Sequence, residues 1–113
     1  MPTYPFSPST IEHIRSMFLR FGARKSSQSE GLKQAAVGII LLAADDDSGE
    51  TTFLLTVRSS KMRSHAGQYA LPGGRIEQEE DAIDTVIRES FEEISLDLSR
   101  EHVLGTLDVS LAM

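Results

Sequence analysis

The sequence contains no cysteine. Disulfides, zinc–thiolate centres and a thiol nucleophile are therefore excluded. This absence fits an intracellular, cytoplasmic setting. Basic residues are also in short supply: 11 lysines and arginines face 17 acids, for a formal charge of -6. A surface of that sign argues against a protein that holds nucleic acid by neutralising phosphates. Long apolar runs are missing as well. The longest, residues 35–44 (AAVGIILLAA), is interrupted only by Gly38, and a bilayer-spanning helix needs about 20 apolar residues. Residues 1–9 carry Pro2, Pro5 and Pro8 and lack the basic-then-apolar layout of a signal peptide. No membrane role is expected. With 113 residues there is room for one small domain.

What is present reads in order along the chain. Residues 1–9 form an extended arm, because proline blocks helix. Ser9 and Glu12 have capping-box spacing and start a helix. Ile11, Ile14, Phe18 and Phe21 recur along it at helical intervals, and Gly22 stops it. Residues 23–33 are polar and Ser-rich, so 1–33 divides into arm, helix and linker, and 34–113 is the domain proper. The run at 35–44 lacks alternation and predicts a strand covered on both faces. Residues 45–50 (DDDSGE) make an acidic turn, and 51–57 a second strand that closes a hairpin. A polar, partly basic loop at 58–68 leads to a short strand at 69–71. Pro72, Gly73 and Gly74 predict a sharp break. Residues 81–95 carry the strongest helical pattern, with Ile83, Val86, Ile87 and Ile94 on one stripe and Ser90 inside it. A strand at 102–108 follows. The order predicts a mixed α/β domain.

The acids are not spread evenly. Glu77, Glu79, Glu80, Asp81, Asp84, Glu89, Glu92 and Glu93 fall within 17 positions. Acids in a helix's first turn oppose its positive dipole end and need no further explanation. Glu89, Glu92 and Glu93 lie late in the helix, where the dipole disfavours them, and share one face. Like charges at that spacing cost about 0.2–0.5 kcal/mol per pair. A hard divalent cation, Mg²⁺ or Mn²⁺, removes the cost and binds such oxygens. From helix geometry alone, a metal site and a solvated acidic face both stay open.

The wider spacing adds to this. Residues 74–96 (GRIEQEEDAIDTVIRESFEEISL) resemble the signature of the Nudix hydrolases, G-x5-E-x7-R-E-U-x-E-E-x-G-U with U a bulky aliphatic residue. Gly74, Glu80, Arg88, Glu89, Glu92 and Glu93 fall in register, and Leu96 fills the last aliphatic place. Chance agreement of six fixed letters is on the order of 10⁻⁷ per start. Ser90 stands where an aliphatic is expected, and its hydroxyl can turn back to a helical carbonyl. Ser95 stands where the signature has glycine, at a helix stop that favours the left-handed conformation. The resemblance implies a Nudix α/β/α sandwich with a mixed sheet, and hydrolysis of a nucleoside diphosphate linked to another group. It implies that Glu89, Glu92 and Glu93 ligate Mg²⁺ or Mn²⁺, joined by Gly74; the group that serves as base varies within the family, and Glu89 is the candidate. It also implies that Arg88 pairs with Glu80 and holds the helix against its loop.

The preceding segment narrows the substrate. Leu54, Leu55, Thr56, Arg58, Ser59, Arg63, His65, Gly67 and Gln68 match the extra motif of the coenzyme A pyrophosphatase branch, L-L-T-x-R-S-x-x-L-R-x-H-x-G-Q, with Met62 replacing its leucine. This resemblance implies a substrate of the coenzyme A class, contacted by Arg58, Arg63, His65 and Gln68, with Gly73 serving backbone geometry. Arg58, Lys61 and Arg63 make a basic patch in an acidic chain, and arginine grips phosphate with paired hydrogen bonds. A solvated basic loop and a structural histidine are the plain alternatives.

The resemblance also implies further strands and a closing helix after the signature helix. Residues 109–113 do not match the turn that relatives carry there. The expectation is a C-terminally incomplete fold. Completion by a second copy, as a homodimer, and a complete minimal variant stay open. An inactive fragment that binds metal or a partner, and a hydrolase of another nucleoside diphosphate derivative, are the alternatives to coenzyme A hydrolysis.

Overall fold

The computed structural model describes residues 4–21, 34–57 and 67–107. The first of these segments is extended at residues 4–6 and docks on a strand edge. The Thr51 amide donates to the Tyr4 carbonyl at 2.7 Å, and the Phe6 amide donates to the Gly49 carbonyl at 2.8 Å. Pro5, which has no amide to offer, bridges Glu50 from that outer position. Helix α1 then spans Pro8–Phe21, earlier than the Ser9 cap predicts. Ser7 caps it instead, its Oγ accepting from the Thr10 amide at 3.3 Å. Pro8 takes the first helical position, where a missing N–H costs nothing. The Phe18 ring lies against the bare α-carbon of Gly105 and ties α1 to the end of the described chain.

The run at 35–44 is not one strand. It forms β1 (Ala35–Val37) and β2 (Leu41–Ala43) with a break between them. Residues 51–57 likewise divide into β3 (Thr51–Phe53) and β4 (Thr56–Val57). Then come β5 (Tyr69–Ala70) and β6 (Gly73–Arg75). Pairing explains the divisions. Strand β2 pairs with β3, Leu41 opposite Phe53, which is the expected hairpin. Strand β1 pairs with β6, Ala36 opposite Gly74, and β4 pairs with β5, Val57 opposite Tyr69. One apolar run thus serves two partners, and Gly38 lies where it changes from one to the other. The Pro72-Gly73-Gly74 break is corrected too, because both glycines lie inside a strand. Gly73 has φ 154°, and a side chain there would run into the Ala36 carbonyl. All three described pairs are antiparallel. The α/β character is present, while the parallel part of a mixed sheet is not among these pairs.

Helix α2 spans Ala82–Ile94, within one residue of the expected bounds. It packs on β1 and β6. Asp81 caps it: Asp81 Oδ1 accepts from the Asp84 amide at 2.7 Å, and Asp84 Oδ2 accepts from the Asp81 amide at 3.2 Å. Arg100 reinforces the cap, its two terminal nitrogens each 3.0 Å from Asp81 and Asp84. Hydrogen bonding from Arg100 pulls the Asp81 carboxyl down to about 2. Residues 102–107 do not form the strand expected over 102–108. A 3₁₀ turn occupies Arg100–His102, with His102 Nδ1 accepting from the Ser99 amide at 3.0 Å. That local cap competes with extension. Residues 103–107 are irregular, and residue 108 lies outside the described residues.

Among the described residues no hydrophobic side chain is fully buried, whereas Thr85, Ser90 and Pro72 are. The doubly covered strand is therefore a further correction: Val37 and Ile39 are exposed on β1 and just after it. No described helix is long and apolar enough to cross a membrane.

Ser95 ends α2 in the left-handed conformation, φ 57° and ψ 28°, with its amide on the Phe91 carbonyl at 2.9 Å. Serine thus occupies the backbone state that glycine takes more readily. Ser95→Gly is expected to raise stability by about 0.5–1 kcal/mol, after the larger unfolded-state entropy of glycine offsets part of the relief. Denaturant melts of the two forms check this; an equal or lower midpoint for Ser95→Gly would mean that the strain in the left-handed serine does not exceed the entropic cost of glycine.

Candidate functional site

Arg88 is the hub of the carboxylate helix. Its Nε donates to Glu80 Oε2 at 2.7 Å and its Nη2 to Glu80 Oε1 at 3.0 Å, a two-pronged pair. Nη2 also donates to the Arg75 carbonyl at 3.2 Å, fastening the helix to β6. Nη1 turns the other way, to Glu89 Oε1 at 3.1 Å and Glu92 Oε2 at 3.4 Å. Glu77 completes the ring at 3.7 Å. One guanidinium therefore faces four carboxylates.

Glu80 gathers donors from both sides of the loop. Besides Arg88, it accepts from the Glu77 amide at 3.0 Å and from Thr85 Oγ1 at 3.0 Å. Hydrogen bonding from Arg88, then from the Glu77 amide, holds its carboxyl at about 2, and the guanidinium is pushed up in turn. Thr85 belongs to no motif in the sequence. It is fully buried, three positions before Arg88, and also bonds the Asp81 carbonyl at 3.0 Å. A threonine in a helix carries no distinctive signal, so only its packing identifies it.

The acids implied as metal ligands meet the strand rather than one another. A β-carbon on Gly74 would lie 2.5 Å from Glu89 Oε1, so the absence of a side chain there makes the space that Glu89 fills. Glu93 Oε1 accepts from the Gly73 amide at 3.1 Å. Glu92 is the most exposed of the Arg88 partners on this helix. Among the described residues no three His, Asp or Glu groups converge closely enough to hold an ion as they stand. The donor set nevertheless fits a hard divalent cation. It consists of carboxylate oxygens in excess of the local positive charge, with the Gly74 seat keeping Glu89 at the strand. Ser90 departs from expectation: its buried Oγ has no hydrogen-bond partner instead of turning back to a helical carbonyl.

Glu89 and Glu93 also line a cleft of about 880 Å³. Its remaining described walls are Leu54, Leu55, Thr56, Val57, Ala70, Leu71, Gly73, Gly74, Ile94 and Leu96. Gln68 lies just before β5 and outside that lining. Arg58, Lys61, Arg63 and His65 lie outside the described residues.

The site is thus a carboxylate-bearing helix locked by one arginine to a glycine-bearing strand. The chain belongs to the Nudix domain family, whose match covers residues 32–111. It is 49% identical over 102 residues to an uncharacterized Nudix hydrolase, NudL, of Yersinia enterocolitica, covering 89% of this chain and 50% of that protein. It is 43% identical over 81 residues to the mitochondrial Nudix hydrolase 15 of Arabidopsis thaliana, covering 71% and 28%. A Yersinia pestis NudL is 46% identical over 59 residues, covering 51% and 30%. The chain spans half or less of the length of these curated relatives.

The Glu80 pair has a pH signature. A carboxyl lowered from 4.5 to about 2 contributes stability that is fully present above pH 4.5 and lost as pH falls toward about 2. The melting-temperature gap between the native chain and Glu80→Gln should be full above pH 4.5 and close on acidification. A gap that does not change with pH would contradict the assigned pairing.

Proposed function

We propose that this protein hydrolyses the diphosphate of coenzyme A or its thioesters, giving 3′,5′-ADP and the (acyl-)4′-phosphopantetheine. The observation that carries the hydrolytic reading is the Arg88 hub: Glu80, Glu89 and Glu92 gathered on one guanidinium, with Glu93 beside them on the Gly73 amide. The Nudix domain supports the same chemistry, since the family hydrolyses nucleoside diphosphate derivatives with divalent cations such as Mg²⁺. The coenzyme A part rests on the residue pattern from Leu54 to Gln68.

Glu89, Glu92 and Glu93, with Gly74 beside them, would hold Mg²⁺ or Mn²⁺. When bound, such ions neutralise the diphosphate and acidify the attacking water. The chain's own residues do the rest. Glu89 takes the proton from the water that adds to phosphorus, and the bridging P–O bond breaks. Arg88 stays on Glu80 and keeps the helix at the strand. Arg58 and Arg63 grip phosphate groups, and His65 and Gln68 order the polar contacts around them.

The test is incubation of the chain with coenzyme A, ADP-ribose and Mg²⁺, following 3′,5′-ADP and AMP by chromatography. Coenzyme A cleavage is expected, falling by about 10²-fold or more in Glu92→Gln. Cleavage of ADP-ribose alone would overturn the substrate. No cleavage of either would favour a domain that binds without turnover.

A further inference from the structure

Gly38 is absent from the Nudix signature and from the segment that resembles the coenzyme A branch. Its backbone does not explain it, because it is not among the glycines with positive φ. Space does. A β-carbon at Gly38 would lie 2.6 Å from Val86 Cγ1 on α2. Contacts that close are strongly repulsive, so an added side chain must push the helix away or displace Val86. The tightness is general along this face. Thr85 and Ser90, beside and one turn beyond Val86, are fully buried, while the larger Ile83 and Ile87 are half-buried.

Gly38 also reaches the other half of the site. Its amide donates to the Pro72 carbonyl at 2.8 Å, immediately before Gly73. Gly73 donates to Glu93, and the bare α-carbon of Gly74 receives Glu89. One residue therefore touches the carboxylate helix through Val86 and the glycine strand through Pro72. We infer that Gly38 is a positioning residue: its missing side chain seats Val86 and sets the depth at which α2 rests on β6. That depth places Glu89 at Gly74 and Glu93 at the Gly73 amide. The catalytic consequence rests on the proposed hydrolytic function, whereas the geometric claim does not.

The experiment compares four forms of the full chain: native, Gly38→Ala, Val86→Ala and the double variant. Three readouts are taken: Mn²⁺ affinity by paramagnetic resonance, the Gly73 and Gly74 amide resonances, and kcat and KM for coenzyme A. Gly38→Ala is expected to weaken Mn²⁺ binding by about tenfold or more. It should lower kcat by about 10²-fold with a smaller change in KM, and shift both glycine amides. Adding Val86→Ala makes room for the new methyl and should return all three toward native values. If Gly38→Ala alone does not fold, recovery of the fold, the amide resonances and the Mn²⁺ affinity in the double variant supports the inference. Native Mn²⁺ affinity and native glycine resonances in Gly38→Ala overturn it. So does a double variant as impaired as the single one. If the native chain cleaves no coenzyme A, the substrate proposal fails, and the glycine amides decide the positioning claim separately.

Discussion

The bidentate pair between Arg88 and Glu80 is the interaction on which the rest of this site depends. Exposed ion pairs usually contribute little, because water screens them and side-chain entropy opposes them. This one differs in geometry and surroundings. The partners are only 24% and 17% exposed at the side chain. Glu80 is further held by the Glu77 amide and the Thr85 hydroxyl. Two prongs, a buried hydroxyl and a backbone amide fix the loop that precedes α2. Arg88 then reaches the Arg75 carbonyl and fixes the strand as well. Removing the guanidinium would leave Glu77, Glu80, Glu89 and Glu92 repelling one another across a few ångströms.

Charge alone does not position a carboxylate, and packing supplies what charge cannot. Helix α2 packs closely on β1 and β6, because Gly38 and Gly74 offer no side chains to hold off Val86 and Glu89, while bare Gly73 lets β6 approach the Ala36 carbonyl on β1. The capping aspartates and Arg100 hold the N-terminal end of the helix in place. Val37 and Ile39 are exposed, and no hydrophobic side chain is fully buried among the described residues.

Local features were legible in the sequence, and non-local ones were not. The bounds of α2, the left-handed Ser95 and the Arg88–Glu80 pair follow from spacings of a few residues or from a signature that encodes them. The hairpin of β2 and β3 also follows from neighbouring residues. The split of the apolar run at Gly38 does not, because it depends on β6, more than 30 positions further along. Ser7 displaced Ser9 as the cap of α1 because Pro8 fits the first helical position. The His102 cap turned an expected strand into a 3₁₀ turn. Thr85 was invisible until burial and hydrogen bonding showed its role. The basic segment with Arg58, Arg63 and His65 lies outside the described residues, so the substrate assignment rests on the sequence pattern.

Glu89, Glu92 and Glu93, gathered between Arg88 and the glycine-bearing strand, are proposed to form a divalent-cation site. Titration of the unmodified chain with Mn²⁺, reading bound ion by paramagnetic resonance and melting temperature at each step, tests it most directly. Uptake should be saturable, with a melting temperature that rises with the logarithm of free Mn²⁺, as expected for a ligand that binds only the folded state. Uptake should disappear when Glu89, Glu92 and Glu93 are all replaced by glutamine. Non-saturable uptake, or equal uptake by the triple variant, would contradict a cation site at these residues.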